Sequence, residues 1–78
     1  MTNLEKYTNA FTSTFDIKPE QTAGLKYQDI ETWDSVGHMG LVAAIESAFG
    51  IMLEADDIID LSSFEKGKEI LKKYNVEM

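Results

Sequence analysis

Apolar residues recur along this chain at helical intervals, with no convincing strand pattern. Leu4, Tyr7, Phe11 and Phe15 follow one another at spacings of three, four and four, one face of a helix running from about Asn3 to Phe15. Thr2 followed by Glu5 reads as a capping box at its start. Pro19 lies just beyond its end, in a segment that cannot continue the helix. From Asp16 to Asp34 the periodicity dissolves. A connection of 19 residues needs anchors in a compact domain. Ile17, Leu25, Tyr27, Ile30 and Trp33 are the residues placed to supply them, with room for a short helical turn.

Periodicity returns at Ser35 and lasts to Phe49, where Gly50 supplies a stop. Asp34 or Ser35 can cap this second helix. Its apolar residues fall on two stripes rather than one. Leu41, Val42, Ile45 and Phe49 form a broad stripe suited to a core. Val36, Met39 and Ala43 form a second, pointing roughly the opposite way, with Ser35 at its top edge. So small a protein cannot easily bury both, so one stripe should be exposed as a partner site. Downstream, "EADDIIDL" predicts a short third helix offering Ile58, Ile59 and Leu61 to the core. Ser62 with Glu65 predicts a second capping box, opening a last helix from about Ser63 to Tyr74 with Phe64, Ile70, Leu71 and Tyr74 inward. The fold predicted is all-α: a small four-helix bundle, one domain over residues 1–78, with a long loop between helices 1 and 2 and a short helix 3.

Composition narrows the functions open to it. The 78 residues contain no cysteine and one histidine, which excludes disulfides, cysteine ligands, a two-histidine metal pair and a Cys/His catalytic pair. Nothing near the N-terminus reads as a signal peptide and no run is long enough to span a membrane, so a cytoplasmic protein without membrane insertion is expected. Fourteen acids against seven lysines, with no arginine, give a formal net charge of −7. Such a surface repels nucleic acid and anionic membranes. Glu54, Asp56, Asp57 and Asp60 lie within seven residues, an acidic patch suited either to solvent or to a basic partner. An EF-hand reading fails, because Glu54 and Glu65 as first and last loop positions put Ile58 and Ile59 where a ligand and a glycine are needed. No metal site is expected.

Ser35 admits three readings. It can cap its helix, a role worth about 1 kcal/mol. It can act as a nucleophile, although His38 is its only nearby base and no strand–turn–helix elbow surrounds it. Or it can be presented for modification by another enzyme, since a phosphate there would face free N–H groups and the positive end of the helix dipole.

"DSVGHMGLVAAIESAFGI", from Asp34 to Ile51, resembles the attachment motif of acyl carrier proteins, in which Asp-Ser-(Leu/Val) opens the second helix. The resemblance extends over nearly the whole chain: a first helix, a long loop, an acidic second helix ending in Phe-Gly-Ile, a short acidic third helix and a closing helix. It implies a non-catalytic, monomeric carrier. A phosphopantetheinyl transferase would attach 4′-phosphopantetheine to Ser35, beside Asp34. A loading ligase would then place acyl or aminoacyl groups on the arm as thioesters, for delivery to acyltransferases or synthases with basic docking patches. Val36, Met39 and Ala43 match the family's apolar docking positions. Asp34, Glu46, Glu54, Asp56, Asp57 and Asp60 would meet the partners' basic residues. The alternative is an unmodified acidic adaptor or inhibitor binding one partner through the same apolar stripe.

The chain also departs from that pattern. Gly37 and Gly40 replace acids expected soon after the serine, each at about 1 kcal/mol of helix propensity, and the missing side chains would allow closer approach of a partner or the arm. Trp33 is bulkier than the small or polar residue expected before Asp34. Both point to a specialised pathway rather than housekeeping fatty-acid synthesis. His38 falls near the core-facing stripe and should be half-buried against the loop or the third helix, with Trp33 as a lid on the loop–helix junction. Ala43, Ala44 and Ala48 leave room for a modest interior cavity.

Overall fold

The capping box at Thr2 forms as the pattern predicts. In a computed structural model describing all 78 residues, the Glu5 N–H donates to Thr2 Oγ1 at 3.1 Å and the Thr2 N–H donates to Glu5 Oε1 at 2.9 Å. The helix it opens, α1, spans Asn3–Phe15 and ends where Asp16 turns left-handed at φ 56°. Tyr7, Ala10, Phe11 and Phe15 are buried along one face. Leu4 is not: it is 40% exposed, because its place in the first turn puts it beside an open groove next to Pro19 rather than over the core.

Residues 16–34 are pinned as their length demands. Pro19–Gln21 form one 3₁₀ turn. The Thr22 hydroxyl, nearly inaccessible, donates to the Pro19 carbonyl at 2.7 Å. Leu25 and Trp33 are buried, and Ile17 and Ile30 pack against the core from its edge. Tyr27 is 37% exposed, with its ring edge-on to Trp33 and His38. The segment also pairs by its backbone: the Tyr27 N–H donates to Ser62 O and the Phe64 N–H to Leu25 O, both at 2.8 Å, across a single antiparallel bridge between Lys26 and Ser63.

Helix α2 spans Ser35–Phe49 and stops at Gly50, whose φ of 63° lets the chain turn back without a Cβ penalty. Helix α3 is Ala55–Asp60 and α4 is Phe64–Lys72. The predicted Ser62–Glu65 box does not form. Ser63, extended by its bridge to Lys26, is the cap, and its hydroxyl accepts from the Lys66 N–H at 2.9 Å. The last helix closes at Lys72, two residues short of the expected Tyr74. Four helices and no sheet make an all-α bundle, with α1 packed chiefly on α2.

Aromatic rings fill its centre. Phe11 sits among four of them, with ring centroids 4.9 Å from Phe64, 5.0 Å from Tyr7, 5.5 Å from Trp33 and 6.0 Å from Phe15. All four contacts are edge-to-face and each adds about 0.5–1.5 kcal/mol beyond the area buried. The Tyr7 hydroxyl donates to the Phe64 carbonyl at 2.7 Å, tying α1 to the start of α4, and no buried side-chain polar atom is left unpaired. Burial raises the Tyr7 phenol far above its ordinary range, so it remains a donor at any ordinary pH.

Gly37 is where the loop crosses α2. A Cβ there would lie 1.9 Å from the Thr32 carbonyl oxygen and 3.2 Å from the Phe15 ring. The space expected to admit a partner is therefore taken by the chain itself. Gly40 differs: the nearest atom to its Cβ position is Thr14 Cγ2 at 3.5 Å, an ordinary contact. Gly37→Ala should accordingly lose about 1–3 kcal/mol to overpacking, whereas Gly40→Ala should gain up to about 1 kcal/mol in helix propensity. Urea unfolding of the two variants against the parent measures both signs.

Candidate functional site

Asp34 takes the capping role at the start of α2. Its Oδ1 accepts from the Gly37 N–H at 2.8 Å while its own backbone stays extended. Ser35 is thereby left as the first helical residue, exposed and not needed as the cap. Of the two capping candidates the sequence offered, the aspartate is the one used. The first-turn position places the serine hydroxyl at the positive end of a 15-residue helix.

Below Ser35 the two stripes of α2 separate as their spacing requires. Leu41, Val42 and Ile45 are buried, with Phe49 packed at the edge of the core. Val36 is 80% exposed and Met39 53%, and Ala43 is exposed on the same side. Apolar side chains grouped on one exposed face, unlike single scattered ones, mark a surface. Two more lie downstream, Met52 at 83% and Ile59 at 77%. Ile59 corrects the expectation of a core residue. Helix α3 is only six residues long, and Asp57 and the half-buried Ile58 take its inward positions. Met52, in the α2–α3 connection, had no periodic signal to reveal it.

The acids expected to form one rim divide into four kinds. Glu54, Asp56 and Asp60 are exposed. Glu46 is half-buried, and its Oε2 accepts from the Leu53 N–H at 2.9 Å, which holds the turn after α2. Asp34 is exposed but engaged as the cap. Asp57 departs furthest from a partner-facing role: it is 3% exposed and accepts from Lys73 Nζ through Oδ1 and from the Tyr74 hydroxyl at 2.5 Å through Oδ2. Tyr74 in turn accepts from the Glu54 N–H at 3.0 Å. These bonds bind α3 to the end of α4. The Lys73 ammonium beside it, and then the Tyr74 hydroxyl, hold the Asp57 carboxyl below the usual carboxylate range. The same pairing raises both partners.

His38 is half-buried and reaches both the loop and α3. Its Nδ1 accepts from Trp33 Nε1 at 3.0 Å and its Nε2 lies 2.8 Å from the Ile58 carbonyl. A carbonyl only accepts, and the indole N–H only donates, so the ring is neutral with its proton on Nε2. Trp33 is fully buried, stacked at 26° on Phe15, and belongs to the core rather than lying over a junction as a lid. Ala44 and Ala48 do not enclose an interior cavity. With Ala10, Lys6 and Met1 they line a surface groove of about 400 Å³ between α1 and α2. Ala43, the third alanine of that expectation, points to solvent. A smaller groove of about 210 Å³, lined by Tyr27, His38, Ile58, Ile59, Leu61 and Ser62, lies between the loop, α2 and α3. No helix is long and apolar enough to cross a membrane.

No family model, curated protein or solved structure matches the chain.

The depressed carboxyl of Asp57 gives a pH dependence of known sign. A carboxyl held low in the fold contributes stability that is fully present above its unfolded pKa and is lost as pH falls through the folded value. The stability difference between the parent and Asp57→Asn should therefore be constant above about pH 5 and shrink below about pH 4. Urea unfolding across that range measures it.

Proposed function

We propose that this chain is a carrier protein, modified on Ser35 with 4′-phosphopantetheine and delivering acyl or aminoacyl groups to partner enzymes. The observation that carries the reading is the pairing of an exposed Ser35 at the head of α2 with an exposed Val36–Met39–Ala43 strip directly below it. The resemblance of Asp34-Ser35-Val36 and its surroundings to the acyl carrier motif supports it independently.

The residues present fit such an arm. Asp34 caps the helix through Gly37, so the Ser35 hydroxyl can be used without dismantling the first turn. Ser35 Oγ gives up its proton and attacks the pantetheine-side phosphorus of the coenzyme A pyrophosphate, forming a phosphodiester as the pyrophosphate P–O bond breaks and 3′,5′-ADP leaves. The transferase supplies the Mg²⁺ and the catalytic groups. A phosphate on Ser35 Oγ would meet the positive end of the α2 dipole, which favours negative charge there. The arm supplies the thiol that this cysteine-free chain lacks, and with it the capacity to hold cargo as a thioester. Tethering keeps that cargo at high effective concentration at a docked enzyme.

Docking falls to the strip and its flanks. Val36 and Met39 supply apolar contact, and Glu54, Asp56 and Asp60 steer a basic partner, raising the rate of encounter more than the affinity. That division suits a protein that must leave each partner after every transfer. With Asp57 and Glu46 committed to internal bonds, the steering charge is carried chiefly by those three acids.

Intact mass after incubation with coenzyme A, Mg²⁺ and a broad-specificity phosphopantetheinyl transferase tests the reading. A gain of one phosphopantetheine is expected, absent from Ser35→Ala. A folded parent that gains nothing with several transferases points instead to an unmodified acidic adaptor using the same strip. Val36→Asp and Met39→Asp should slow modification at least about tenfold, equivalent to about 1.4 kcal/mol. Their stability should stay within about 0.5 kcal/mol of the parent, as is usual for exposed sites.

A further inference from the structure

We propose that His38 makes α3 a pH-operated clasp, which pivots about Asp57 and opens or closes the groove between the loop, α2 and α3. The clasp does not depend on any modification of Ser35. It begins with the Trp33 indole, which is fully buried and donates to His38 Nδ1. That bond requires a lone pair on Nδ1. Imidazole is the side chain that ordinarily changes charge between about pH 5 and 8. Once protonated, Nδ1 carries a hydrogen and two donors face each other across 3.0 Å. The ring must then turn away from the indole.

Turning the ring moves α3, because the opposite nitrogen holds that helix. His38 Nε2 donates to the Ile58 carbonyl, and it remains a donor in the imidazolium. The charged ring thus keeps its hold on α3 while leaving Trp33. The other tie of α3 runs from buried Asp57 to Lys73 and Tyr74, and the Asp57 carboxylate keeps its charge across the same range. The fixed residue is the third of the six in α3, and the part of the helix from Ile58 onward follows the histidine. That moving end carries Ile58 and Ile59, which form one wall of the 210 Å³ groove.

The groups facing His38 are few. The loop presents the Trp33 indole and the Tyr27 ring, at centroid distances of 6.3 and 5.6 Å, and α3 presents the Ile58 carbonyl. On α2 itself, Asp34 lies one turn above, engaged with Gly37. Facing Asp57 are Lys73 and Tyr74, with Glu54 nearby through its N–H on Tyr74. Acidification also relaxes repulsion across a chain of net charge −7, so a global melt would mix the two effects. The readout must be local.

The chain holds one tryptophan and one histidine, so the indole N–H signal and the imidazole ring signals are each assigned to one residue. Titrating the full chain from about pH 7.5 to about pH 5 should move the Trp33 indole, the His38 ring and the Ile58–Leu61 amides with one shared midpoint. The Phe11 and Leu71 amides should hold still. Static α3 amides, amides that move with a different midpoint from the ring, or shifts spread over the whole chain would each overturn the proposal. His38→Gln retains a side-chain acceptor and donor but cannot titrate, so its indole and α3 signals should stay flat. Persistence of the α3 titration in a folded His38→Gln variant would overturn it too. If that variant does not fold, the shared or unshared midpoint in the parent decides.

Discussion

A buried indole must place its N–H on an acceptor where water does not reach, and in this protein the acceptor is the Nδ1 of His38. Trp33 is the penultimate residue of the 19-residue connection, and its ring lies against Phe11 and Phe15 of α1. His38 begins the second turn of α2 and its far nitrogen grips the Ile58 carbonyl of α3. One hydrogen-bonded pair thus joins the loop, α2 and α3 to the aromatic core. The crossing of Thr32 over Gly37 follows from it, because the loop must pass tight against α2 to bring Trp33 inward. An unpaired indole N–H at that depth would cost about 1–3 kcal/mol, a large share of the stability of a domain this small.

The same arrangement explains why α2 can carry apolar residues on two sides. Its inward stripe is covered by the rings that Trp33 helps to gather, so the outward stripe has no covering element left. Ser35 and Val36 stand at the head of that uncovered side. The acidic region after α2 is organised by a second internal constraint. Asp57 is spent on Lys73 and Tyr74, which locks α3 against α4 and leaves Glu54, Asp56 and Asp60 facing outward around it. A single buried carboxylate therefore sorts its neighbours into an exposed set. On the proposed reading, that exposed set is what a basic partner would meet.

Much of this molecule was determined by its sequence alone. The bounds of α1 and α2, the Thr2–Glu5 box, the Gly50 stop and the two stripes of α2 all follow from local spacing and local hydrogen bonding, which act over one or two turns. Only the tertiary structure decided which acid in Glu54–Asp60 is internal, that Ile58 rather than Ile59 turns inward, that Ser63 rather than Ser62 caps α4, and that Gly37 serves a chain crossing. Each of these depends on where a segment distant in sequence comes to rest: Lys73 and Tyr74 over α3, Lys26 beside Ser63, Thr32 over Gly37. Periodicity records which face of a helix is apolar, but it holds no record of what will lie across from that face.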